Sequence, residues 1–403
     1  MLDLRPDAGA DRVALVRGGS VTYLPARRVE LAAEVASGGL CRSIRRSASG
    51  ELFVMGPGIG RRVLRSADEG LTWSSGEFAL DLAPFVPADP GSEPWLGAFA
   101  ILRDDTFVAL FMVDDHLPTR RGVVGRSEDR GRTWSLAPLN PALPPHTRMQ
   151  AANSDLLQLS DGSILLTVDV FHAPGGDPAA DPAALPVELQ GVFLYALRSF
   201  DGGRTWPESS CVAMYAAEGH LHQLPSGTLL ACVRKQRGHR QPGDPPAPYD
   251  LKIASGYRPQ FDSEERPSER DEGTNRIKNT HLTESADGGR TWVDERPVTS
   301  FLQCSADLTR LDDGSLVLQY LHRYPDDVAH TGIRAHVSHD DGATWGDETY
   351  VISQGEGADP NTGSSYPGTI AGGTHGVITV CANTVAGRTR LEAVHWRPQA
   401  ATR

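Results

Sequence analysis

The chain has 403 residues, 39% hydrophobic and 22% charged, and its 42 Gly and 29 Pro suit a soluble protein rich in tight turns. Lys plus Arg number 39 against 51 Asp plus Glu, and the resulting net charge of −12 argues against nucleic acid and anionic membrane surfaces as partners. The five cysteines (Cys41, Cys211, Cys232, Cys304, Cys381) form no C-x-x-C pair and fit a reduced compartment. The opening MLDLRPDAGADRVALVRGG lacks the apolar run of a secretory signal, and no stretch of about 18 apolar residues occurs, so a cytoplasmic location without a membrane span is expected.

In chain order, the first predicted element is a strand at Ser20–Pro25 or Arg27–Ala33. A strand–turn–strand unit, SIRRSASGELFVMG, follows and leads to the box SADEGLTW at Ser66–Trp73. GAFAILRDDTFVALFM leads in the same way to SEDRGRTW at Ser127–Trp134, and DLLQLSDGSILLTVDV to SFDGGRTW at Ser199–Trp206. HLHQLPSGTLLACVRK precedes SADGGRTW at Ser285–Trp292, and ADLTRLDDGSLVLQYLHR precedes SHDDGATW at Ser338–Trp345. A last unit, SYPGTIAGGTHGVITVCAN, ends in RLEAVHWRP without a box.

Each S-x-D-x-G-x-T-W box makes sense as a β-hairpin turn. Ser and Asp bond local N–H groups, Gly takes a positive φ, and Trp covers the neighbouring sheet. Repeated strand–turn–strand units with one box apiece predict an all-β, six-bladed β-propeller of four-stranded antiparallel blades, a single domain over 1–403. Such a ring must close, so the N-terminal strand is expected to complete the last blade. The box turns lie at one end of the blades, and the loops at the opposite end, the mouth, should vary. Two of these are long: His172–Gln190, and an insertion at about 235–279 that reads as a lid or a homo-oligomer contact.

Counting back about nine positions from each turn glycine reaches the start of the innermost strand, near Arg42, Leu96, Asn153, Glu218, Ser305 and Tyr366. The tops of the second strands add Asp169, Arg234, His322 and Arg323. Arginines, a glutamate and a tyrosine thus converge on one mouth of an acidic protein.

These residues and the boxes resemble the sialidase (neuraminidase) superfamily, whose propellers carry BNR or Asp-box repeats. The segment E-x-x-x-x-x-L-x-x-G-x-x-x-x-x-x-R of that family is met by Glu218, Leu224, Gly227 and Arg234. Arg42 looks like the first arginine of the family's triad, and Tyr366 stands in the last blade, where the family places its nucleophile. The third arginine falls to Arg323 or Arg334, because Thr331 occupies the expected place. The first-blade loop MGPGIGRRV holds no acid, which leaves Asp114, Asp115 or Asp169 to protonate the leaving group.

The resemblance implies an exo-acting glycoside hydrolase of a terminal, acidic, sialic-acid-like sugar. Guanidinium forks would clamp the sugar carboxylate, and Glu218 would activate Tyr366, a weak nucleophile near its free pKa of about 10. Two other readings stay open: a related propeller acting on another sugar or by lyase chemistry, and a non-catalytic glycan-binding propeller. Glu218, His220 and His222 alternate along one strand and are expected to share a face. His220 is therefore a candidate for substrate binding, and a metal site with Asp169 or His172 is a weaker alternative. No cofactor is implied, and no phosphate loop, G-x-S-x-G elbow or H-E-x-x-H motif occurs.

Overall fold

The computed structural model describes residues 11–32, 35, 43–56, 59–86, 94–113, 121–149, 155–172, 191–237, 277–300, 303–322, 332–354, 366–373, 376–385 and 388–399. Four separate antiparallel sheets follow the repeat units. The first is β3 (Ser43–Arg46), β4 (Leu52–Met55), β5 (Arg62–Ser66) and β6 (Ser74–Glu77), and the second is β7 (Trp95–Ile101), β8 (Phe107–Met112), β9 (Gly122–Ser127) and β10 (Ser135–Pro138). In the third, β11 (Thr147–Met149) and β12 (Leu156–Gln158) both pair with β13 (Ile164–His172), which continues to β14 (Val192–Ser199) and β15 (Glu208–Met214). The fourth is β16 (Ala216–Gln223), β17 (Leu229–Arg237), β18 (Ile277–Ser285) and β19 (Val293–Pro297).

The remaining strands form one nine-stranded sheet. β20 (Gln303–Arg310), β21 (Leu316–His322), β22 (Gly332–Ser338) and β23 (Thr349–Val351) make one part; β24 (Gly368–Ala371), β25 (Val377–Val385) and β26 (Arg388–Trp396) make the other. The hairpin of β1 (Arg12–Arg17) and β2 (Ser20–Ala32) joins them, β1 pairing with β23 and β2 with β26. The chain is thus an all-β propeller with four-stranded antiparallel blades. Of the two N-terminal alternatives, the stretch from Ala26 to Ala32 pairs with β26, while Ser20–Pro25 pairs with β1.

The innermost strands touch in turn, β3 to β7, β7 to β12, β12 to β16, β16 to β20, β20 to β24 and β24 back to β3. Between neighbouring sheets lie apolar clusters. Ile44, Leu52 and Leu64 pack on Ile378, Val380 and Leu391 across the point of closure, and Leu165 and Leu194 pack on Leu229 and Val233 farther round. Second strands such as β4 and β8 are buried along their whole length because both faces are covered, which is why they read as unbroken apolar runs. Each such buried Leu, Val or Phe contributes about 1.5–3 kcal/mol.

The boxes fold as their chemistry predicts. In the third, Ser199 donates to Asp201 at 2.8 Å, Gly203 N donates to Ser199 Oγ at 2.8 Å, and Thr205 donates to Asp201 through both N and Oγ1 at 2.9 and 2.6 Å. Donors from the preceding sheet then dock on box carbonyls: Arg126 on Gly202, Ser210 on Gly289 at 2.6 Å, Arg296 on Gly342 at 2.9 Å and His395 on Gly70 at 3.1 Å. The boxes therefore join blades as well as turning chains.

At the opposite end, the β17–β18 ladder extends to Arg237 and Ile277, so the stems of the insertion expected at 235–279 are strand. The residues between 238 and 276 lie outside the described residues, as do those at 173–190.

Candidate active site

Glu218 enters the mouth through a β-bulge. On β16, Ala217 pairs with Arg234 and His220 with Cys232, so Glu218 and Gly219 together oppose Val233. Glu218 takes the left-handed conformation at φ 53°, a place that favours glycine and costs a larger residue about 1–3 kcal/mol. Gly219 beside it makes room for Leu194, whose side chain would have to shift to admit a Cβ there. The same bulge recurs on β20, where Ser305 at φ 59° and Ala306 oppose Tyr320.

Four elements meet at Glu218. The Tyr366 hydroxyl donates to Oε1 at 2.5 Å, and Arg234 Nη1 reaches the same oxygen at 2.5 Å. Ser305 Oγ donates to Oε2 at 2.7 Å. Behind the carboxylate, Glu218 N donates to Asp169 Oδ1 at 3.1 Å, so Asp169 holds the strained main chain. Tyr366, Glu218 and Asp169 are all buried, and the Arg234 side chain is 13% exposed. An ion pair this enclosed stabilises little by itself, but it fixes the carboxylate's position.

His220 goes elsewhere. The bulge interrupts the alternation expected to put Glu218 and His220 on one face, and His220 lies in the axis below the mouth. Its Nε2 stands 2.8 Å from Asp307 Oδ1 and 3.5 Å from Asp155 Oδ2, while Leu308 N donates to Nδ1 at 3.4 Å. Burial lowers its pKa, but the two carboxylates outweigh that and raise it. Arg45 donates to Asp155 Oδ1 at 2.7 Å, Leu221 N to Asp155 Oδ2 at 2.9 Å, and Thr369 N to Asp307 Oδ2 at 2.7 Å. A buried polar layer thus ties the innermost strands together beneath the site. Sequence reasoning missed it, although Asp155, His220, Asp307 and Thr369 each stand seven residues before a turn glycine, at Gly162, Gly227, Gly314 and Gly376.

The remaining candidates divide. Arg334 is buried on β22 and lies close enough to His336 to help burial hold that imidazole down at about 4. Arg42, Arg323, Asp114 and Asp115 lie outside the described residues. His222 is held at about 4 by burial and by its neighbour His220. Among the described residues no three of His, Cys, Asp and Glu cluster as metal ligands.

Comparison with known proteins bears on the fold. No protein-family model matches the chain, and no curated protein matches its sequence. Among solved structures it resembles a protein of unknown function from Dyadobacter fermentans, at 17% identity and TM-score 0.59, covering 92% of this chain and 99% of that one. It also resembles the Hadza microbial sialidase Hz136, at 14% identity and TM-score 0.59 over 93% of this chain and 69% of that one. A GH93 α-L-arabinofuranosidase of Fusarium graminearum aligns at 13% identity and TM-score 0.56, over 91% and 96% of the two chains. Identities this low establish the shared propeller alone.

Proposed function

We propose that the chain is a six-bladed propeller of the sialidase type whose boxes are Asp-box repeats. In this reading the nine-stranded sheet is two blades bridged by β1 and β2. We infer a retaining, exo-acting glycoside hydrolase with Tyr366 as nucleophile and Glu218 as its base. The observation that carries this reading is the hydrogen bond from Tyr366 to Glu218 Oε1, made between residues 148 apart in the chain.

The chemistry follows from that contact. As the glycosidic C–O bond breaks, the Tyr366 oxygen bonds to the anomeric carbon and its proton passes to Glu218. Asp169, buried and accepting from the Glu218 main-chain N–H, supports the pair instead of protonating the leaving group, so the departing oxygen takes its proton from Asp114 or Asp115. That ionised acid then takes a proton from water as the water oxygen bonds to the anomeric carbon, and Glu218 returns its proton to the Tyr366 oxygen as the sugar leaves. A neutral phenol approaches an acidic sugar without the repulsion a carboxylate nucleophile would meet; sialidases with this nucleophile are a known exception to the two-carboxylate rule. Arg234, with Arg42 and Arg323 or Arg334, would bind the substrate carboxylate.

The structurally similar GH93 α-L-arabinofuranosidase, which is in complex with arabinobiose, supports a second reading, a neutral or differently charged sugar on the same scaffold. Aryl sialosides, uronides and arabinofuranosides assayed side by side distinguish the two. On the substrate that turns over, Tyr366→Phe and Glu218→Gln should each lower kcat by about 10²–10⁴-fold. Unchanged turnover in both variants would end the nucleophile assignment.

A further inference from the structure

Ser305 is buried at 1% exposure, and its side chain bonds the oxygen of Glu218 that Tyr366 does not use. It holds φ 59°, where glycine would be cheaper, at the bulge position that corresponds to Glu218 one blade earlier. Among the described residues its only other partner is Cys304 Sγ at 3.8 Å, too weak a contact to justify a strained serine. Among the described residues this hydroxyl therefore has one substantial task.

From these contacts we propose that Ser305 is a positioning residue for the nucleophile pair: it pins Glu218 Oε2, turns Oε1 toward Tyr366, and stabilises the ionised carboxylate. The inference rests on the Tyr366–Glu218 reading and extends it to a residue on the neighbouring blade. With a hydroxyl on each oxygen, Glu218 cannot rotate away from the phenol. Ser305 can give a hydrogen bond to the carboxylate, and losing that bond makes the carboxylate a stronger base. Among the described residues, the other groups facing Glu218 include Arg234 from β17, Tyr366 ahead of β24, and Asp169 from β13, which meets the main-chain N–H; Asp307, two residues beyond Ser305, faces His220.

The test uses the full chain carrying Ser305→Gly or Ser305→Ala beside Tyr366→Phe, with Tm, kcat, KM and the pH profile of kcat measured for each. Glycine accepts the left-handed conformation without strain, so Ser305→Gly removes the hydroxyl while keeping the bulge. Both Ser305 variants should lower kcat by about 10- to 100-fold with KM nearly unchanged, as expected for a lost hydrogen bond to a charged group. The acid limb of the profile should move up by about one pH unit. Wild-type kcat and an unmoved acid limb in Ser305→Gly, with Tyr366→Phe inactive, would overturn the role of Ser305 and leave the pair intact. A fallen Tm with an unmoved limb would show a structural residue and equally overturn it. Full activity in Tyr366→Phe would instead remove the underlying reading.

Discussion

The two ends of the propeller use repetition in opposite ways. At the box end, Asp68, Asp129, Asp201, Asp287 and Asp340 each accept from the Thr four residues on, and each box gives the same turn. At the mouth end, equivalent strand positions carry different residues. Glu218 and Ser305 occupy the same bulge on successive blades, and Asp155, His220, Asp307 and Thr369 occupy the same level of the axis. Identity among repeats builds the scaffold, while divergence at symmetric positions brings unlike groups together in one place.

The largest effect belongs to the mouth: Tyr366→Phe should remove most activity while leaving Tm within about 2 °C, because the boxes at the opposite end of the blades are untouched. A Tm collapse would mean that Tyr366 serves the fold. Acidification comes next. His222 and His336 are held at about 4 against an ordinary 6.5, so the unfolded chain binds their protons first and stability falls as pH drops from 6.5 toward 4. Below 3.8 the box aspartates add to the loss, since hydrogen bonds from the box Thr and Ser hold Asp68 at about 2, and Asp201, despite burial, is also lowered to about 2. His220 acts in the opposite sense: its raised pKa contributes fully below 6.5, and that contribution fades as pH rises through the folded value. Thermal unfolding from pH 8 to pH 4 should therefore show Tm falling on the acid side; a Tm that rises toward pH 4 would contradict the neutral burial of His222 and His336.

The smallest effect belongs to a single box. Asp201→Ala removes acceptors for Arg204 N, Thr205 and Ser199 at the surface and should cost roughly 1 kcal/mol, a Tm shift of a few degrees, with kcat/KM unchanged. A large loss of activity in Asp201→Ala would erase the division of labour between the two ends.

Much of this was legible in the sequence, for identifiable reasons. The boxes are local motifs, so their turns could be read from Ser, Asp, Gly and Thr alone. Glu218, Arg234 and Tyr366 were found by spacing, and the structure brings all three together. The Asp169 side chain reaches Glu218, but at the main-chain N–H of Glu218 and not at its carboxylate. The place of His220 was not legible, because a bulge adds a residue without marking the sequence and so shifts the phase of the strand. Asp155, Asp307 and Arg45 were passed over for a related reason. Their partners lie on other blades, and the spacing of Asp155 and Asp307 from their turn glycines gives a level on the strand without showing that the charge turns inward.

The proposed step is the attack of Tyr366 on the sugar. It is tested most directly by incubating the protein with a glycosyl fluoride of the sugar it turns over, fluorinated beside the anomeric carbon, and mapping the adduct by peptide mass spectrometry. The expected product is one covalently bound sugar on the peptide containing Tyr366, and none in Tyr366→Phe. An adduct on an Asp or Glu instead, with Tyr366 unmodified, would contradict it.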